Sequence, residues 1–158
     1  MSRLDPKHHD AERGESHLVF AADNGLLRDH PIVRGRNASE QVHSVLTFTG
    51  TSVLAPPGAV AFMALSDTAV ERPPKEPQVE KADGDVRVTM VYGDPVPARG
   101  RAQGIAMELD RGRIGVLGEA GMLRAQRERR GARVGMNVPG FDNRQLAINI
   151  MHWLSRVT

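Results

Sequence analysis

The sequence predicts an α/β fold from three observations. Residues 59–66, AVAFMALS, are nearly all apolar and lie between PPG and SDT, the pattern of a strand buried on both faces. The run RIGVLG leads through a glycine turn into EAGMLRAQRE, which has helix propensity and ends near Gly131, a residue suited to a C-cap. Finally, Leu146, Ile150, Trp153, Leu154 and Val157 recur at helical spacing opposite a polar stripe of Gln145, Asn149, His152 and Arg156. Asp142 followed by Gln145 has the spacing of a capping box, so the last segment reads as an amphipathic helix packed on a sheet.

The other elements follow in order. Residues 1–16 are polar and without apolar periodicity, which predicts a disordered tail preceding a domain over 17–158. His8 and His9 there read as a solvated pair, because no third ligand stands at a metal-binding spacing. HLVF, from His17, is a short strand closed by the turn residues ADNG. In HPIVRGRN, Pro31 disfavours helix at His30, and Asn37 with Glu40 is placed to cap one helical turn. HSVLTFTG alternates as a strand ending at Gly50, while residues 71–84 mix prolines with charges and read as an exposed connection. DVRVTMVYG resumes strand alternation. QGIAMEL and RIGVLG, separated by Asp110, Arg111 and Gly112, suit a tight antiparallel hairpin.

Composition narrows the function. Its 158 residues suit one domain, and 21 basic against 19 acidic residues leave a net charge of only +2, too little to argue for nucleic acid. Aromatic residues make up 4%, too few for a base-stacking platform. With no cysteine, the chain has no disulfide framework, thiolate metal site or cysteine nucleophile. No run reaches the roughly 18 apolar residues of a membrane span, and the first residues lack the apolar centre of a secretory signal. A cytoplasmic protein without membrane, metal or cofactor is the expectation.

LLRDHPIVRGRN, VLTFTG, GRIGVLGEAGMLRAQ and GMNVPGFDNRQLAINIMHWL, in that order, resemble the C-terminal half of bacterial class I glutamine amidotransferase-like domains of uncharacterised type, and more distantly the trehalose-utilisation family. The resemblance covers about residues 17–158. It implies a partial flavodoxin-like three-layer sandwich, with a mostly parallel sheet, an antiparallel edge hairpin and a C-terminal helix. Relative to that fold the first βα units are missing. The resemblance therefore implies either a start further upstream, which could carry a signal to the periplasm or the exterior, or an incomplete sheet whose edge pairs with a second copy. Active amidotransferases use a cysteine, so glutamine hydrolysis by that route is excluded.

Function therefore divides between two main readings, beside a third in which the chain is a structural subunit that completes its sheet with another chain. In the first, a non-catalytic amidotransferase-like domain binds a small polar ligand or a protein partner. In the second, a carbohydrate-processing hydrolase or isomerase similar to the trehalose-utilisation family uses Glu119 and His30 as acid and base, which requires both to reach one pocket. Glu119 stands just past a strand, where open α/β sheets bind ligands, or else it is a first-turn acid at the positive end of a helix. His30 is either the base or a turn histidine. Arg34, Arg36, Asn37 and Thr49, with Thr47, could hydrogen-bond an anion or polyol, as could Asn137 and Asn143 at the entry to the last helix. Arg124, Arg127, Arg129, Arg130 and Arg133 form the densest basic stretch.

Overall fold

The computed structural model describes residues 2–82, 85–127 and 131–157. In chain order the strands and helices are β1 (Ser2–Leu4), β2 (Val19–Ala21), α1 (Pro31–Arg34), β3 (Ser44–Leu46), β4 (Val60–Ala64), β5 (Val70–Arg72), β6 (Gln78–Ala82), β7 (Asp85–Thr89), β8 (Val96–Pro97), β9 (Ala102–Leu109), β10 (Gly112–Leu117), β11 (Ala125–Arg127), β12 (Arg133–Gly135) and α2 (Asn143–Ser155). Single 3-10 turns cover Ala38–Glu40 and Gly121–Leu123.

The strands form five small sheets: β1-β5-β8, β10-β9-β4, β2-β3, β6-β7 and β11-β12. Every described strand pair is antiparallel, which overturns the parallel, flavodoxin-like layering expected from the sequence. The connections give the physical reason. Parallel neighbours need a crossover of a dozen or more residues, usually a helix, and among the described residues the segments between strands carry only the four-residue α1 and the two 3-10 turns.

β9 is the central strand. Its small residues let β4 lie close on one side, with the Phe62 ring over Gly104, while β10 pairs residue for residue on the other from Gly112↔Leu109 to Leu117↔Gly104. The hairpin turn falls at Asp110 and Arg111, with Asp110 at φ 49°, as tight two-residue hairpins require. α2 presses Leu146, Ile150 and Trp153 into a core shared with Leu18, Phe20, Ile32, Val45, Phe62 and Met122. Each of those three helix residues gains about 1.5–3 kcal/mol from burial. Leu154 and Val157, expected on the same face, stay exposed.

Local readings change in four further places. Residues 1–16 supply β1 to a sheet, with Arg3 and Asp5 both fully buried, where a tail outside the core was expected. Residues 71–84, expected as a connection, contribute β5 and β6, and Glu71 is buried because Ser52 N and Thr51 Oγ1 donate to its carboxylate, with Arg101 beside it. The stretch after Gly118 makes a 3-10 turn and then β11, because Arg124 turns to an extended backbone at ψ 148°. The expected helix is absent there. Asp142 does not close a capping box. Its carboxylate accepts from His43 N at 2.8 Å and Ser44 N at 3.1 Å and so ties α2 to β3. Among the described residues no helix is long and apolar enough to cross a membrane.

Candidate functional site

Two motifs distant in sequence, VLTFTG and RIGVLGEAG, meet at one place. Thr51 N donates to Gly118 O at 3.0 Å and Gly118 N to Gln103 O at 2.8 Å, which draws the segment after β3 against the end of β10. Glycine is required at this approach. Gly50 has φ +105°, and a Cβ there would come within 2.6 Å of the Glu119 Cβ, while one on Gly118 would run into Thr51 O.

Beside Gly50, Thr49 holds φ +65°, a left-handed conformation that costs a β-branched residue about 1–3 kcal/mol. Its neighbours fix it there. Thr49 N donates to Ser16 O at 3.1 Å, and Arg3 Nη2 donates to Thr49 O at 2.7 Å. Arg3 is fully buried and also donates to Thr47 Oγ1 at 2.8 Å and to Gln103 Oε1. Burial lowers its pKa to about 10, with the charges of Glu119, Glu71 and Asp5 pulling it back up.

Thr49 and Glu119 line a cavity of about 490 Å³ together with His17, Phe48 and the exposed Arg124. Glu119 Oε1 accepts from Phe48 N at 2.9 Å, and Oε2 lies over Gly121, where any side chain would displace it. Burial pushes the Glu119 carboxyl above its ordinary range. The Phe48 hydrogen bond, the Arg3 charge and the amides of Gly121 and Met122 oppose the rise without cancelling it. His17 sits edge-on to Phe48, with 5.7 Å between ring centroids, and burial, with the Arg13 charge, lowers its pKa. The cavity therefore holds a carboxyl that resists ionisation, an imidazole that resists protonation, a strained backbone and a guanidinium at its rim.

The other residues proposed from the sequence are distributed elsewhere. His30 caps α1, its Nδ1 accepting from Ile32 N at 3.2 Å, and is buried against the rings of Phe62 and Trp153, where desolvation, with the Arg34 charge, lowers its pKa. It does not line the Glu119 cavity, so the acid–base pair expected of these two residues is not assembled. Arg34 makes an exposed ion pair with Asp29 at 3.4 Å. Arg36 grips Glu40 at 2.5 Å and holds its carboxyl down at about 2. Asn37 caps its 3-10 turn by accepting from Ser39 N at 3.0 Å. Asn143 is fully buried and clamps Leu46 through both its N–H and its C=O, a structural role. Asn137 lies with Arg127 and Arg133 at a shallow cavity of about 180 Å³. Arg129 and Arg130 lie outside the described residues. Asn149, on the polar stripe read from the sequence, is buried and donates to Ile32 O and Glu40 O.

Sequence reasoning missed that His17 lines the same cavity as Glu119, because that placement depends on the Thr49–Ser16 and Thr51–Gly118 backbone contacts. Among the described residues no three His, Asp or Glu side chains converge on a metal site. The site thus belongs to an antiparallel β protein with a polar cavity between loops. No family model, no curated protein and no solved structure matches the chain.

Proposed function

We propose that the chain binds a small polar ligand, without turning it over, in the cavity of Thr49 and Glu119. One observation carries this reading: a threonine is held in a strained backbone beside a desolvated carboxyl, and both line a cavity large enough for a small molecule. Glu119 would take a hydrogen bond from a hydroxyl or amine, and Arg124 would take a carboxylate or other anionic group. Binding is favoured over turnover because the chain lacks a cysteine and, among the described residues, no hydrogen bond joins His17 to Glu119. His17 Nδ1 stands instead 3.2 Å from Ser16 Oγ.

Thermal melting against a panel of amino acids and monosaccharides at about 10 mM tests the reading. A ligand present at about ten times its Kd contributes about 1.4 kcal/mol, which raises Tm by a few degrees. At least one panel member is expected to do this, and Glu119→Gln and Arg124→Ala should each abolish the effect. A panel without any shift overturns the proposal, and conversion of the bound compound, followed by NMR, overturns its non-catalytic part.

A further inference from the structure

A second cavity, of about 520 Å³, opens where the end of α2 meets α1 and β10. Its walls combine apolar surface from Trp153, Pro31 and Val157 with the guanidinium groups of Arg36, Arg113 and Arg156. Arg113 lies over the Trp153 ring, 5.2 Å from its centroid, and its Nη1 donates to Trp153 O at 2.7 Å. The three arginines differ in what balances them. Arg36 is bound to Glu40, and Arg113 to Glu108 at 2.8 Å. Among the described residues the Arg156 guanidinium donates only to Arg111 O, at 2.9 Å, and has no carboxylate partner. His152, also in the wall, keeps a buried Nδ1 with no hydrogen-bond partner.

From this arrangement we infer that the cavity binds an organic monoanion, an apolar body carrying one carboxylate, with the body against Trp153 and the carboxylate at Arg156. An apolar floor supplies area, and one uncompensated guanidinium at the rim supplies a single charge and a directional donor pair. A neutral molecule would leave that guanidinium unanswered, and a cation would be repelled by it. The site shares no lining residue with the Glu119 cavity, so the two proposals stand or fall separately.

Trp153 is the only tryptophan in the chain, so its fluorescence reports on this cavity directly. The experiment titrates the protein with octanoate, octanol and octylamine. Octanoate should give a saturable change in emission, octanol should bind at least about tenfold more weakly, and octylamine should give no saturable change. Arg156→Asn, which keeps a residue tolerant of the left-handed conformation at φ 58°, should weaken octanoate by about tenfold and leave octanol unchanged. Equal affinity for octanol and octanoate in the unsubstituted protein overturns the inference whether or not the variant folds. An Arg156→Asn protein that binds octanoate normally, or an unsubstituted protein that gives no saturable octanoate signal, also overturns it.

Discussion

β1 and the β6–β7 hairpin reverse what their side chains would suggest. β1 is three residues long and centred on an arginine, yet Arg3 has no exposed surface. The hairpin carries Val79, Val86 and Val88, each more than half exposed, and Val79 lies directly across from Val88. Hydropathy predicts the opposite placement for both. What decides is the number of partners each segment finds. Arg3 reaches Thr47, Thr49 and Gln103, and Asp5 accepts from Ser66 Oγ at 2.6 Å, Thr68 Oγ1 at 2.8 Å, Lys7 N and His8 N. Among the described residues the hairpin pairs with itself alone, and the cross-strand contacts of two exposed strands are worth only about 0.2–1 kcal/mol each.

The contrast breaks most severely if Arg3 is removed. Arg3→Met should cost about 3–5 kcal/mol in urea denaturation, because it strands Gln103 Oε1, leaves Thr47 Oγ1 only its bond to Leu18 O, and takes a buried cation from among three carboxylates. It should also free Thr49 and loosen the Glu119 cavity. Asp5→Ala should cost less, about 2–3 kcal/mol. Although burial raises its pKa, the hydrogen bonds to the Asp5 carboxylate outweigh that and lower it, so its contribution is present above the ordinary aspartate pKa and is lost as pH falls through the folded value. The unsubstituted protein should therefore lose its advantage over Asp5→Ala in acid, as equilibrium unfolding at a series of pH values would read. Smallest of all, Val86→Thr and Val88→Thr together should move stability by no more than about 0.5 kcal/mol. A loss comparable to that of Arg3→Met would show that the hairpin is part of the core.

The features legible in the sequence are those set by near neighbours. The β9–β10 turn at Asp110 and Arg111, the Asn37 cap and the Leu146, Ile150 and Trp153 face of α2 each depend on residues within a few positions. Glu119 was legible as a residue just beyond a strand, but the helix expected after it was not formed. Its carboxyl turns to Phe48 N, 71 residues away, and Arg124 leaves the turn in an extended backbone. The burial of Arg3 and Asp5 was illegible for the same reason, since the side chains they bond lie 44 to 100 residues along the chain. The capping box at Asp142 was a correct spacing given a different use, because the backbone of His43 and Ser44 competes for the same carboxylate.

The central claim is that burial of Glu119 beside the cavity outweighs the amides of the 3-10 turn that follows it, and the two influences move its pKa in opposite directions. A helix start stabilises the anion and lowers the pKa, whereas burial in the cavity raises it. With a raised folded pKa, the stability linked to Glu119 is fully present below the ordinary glutamate value and is lost as pH rises through the folded one, and Glu119→Gln should remove that slope. An NMR titration of the Glu119 side-chain carboxyl carbon measures the quantity itself. A midpoint above the ordinary 4.5 is the expected result. A midpoint at or below it would contradict the account.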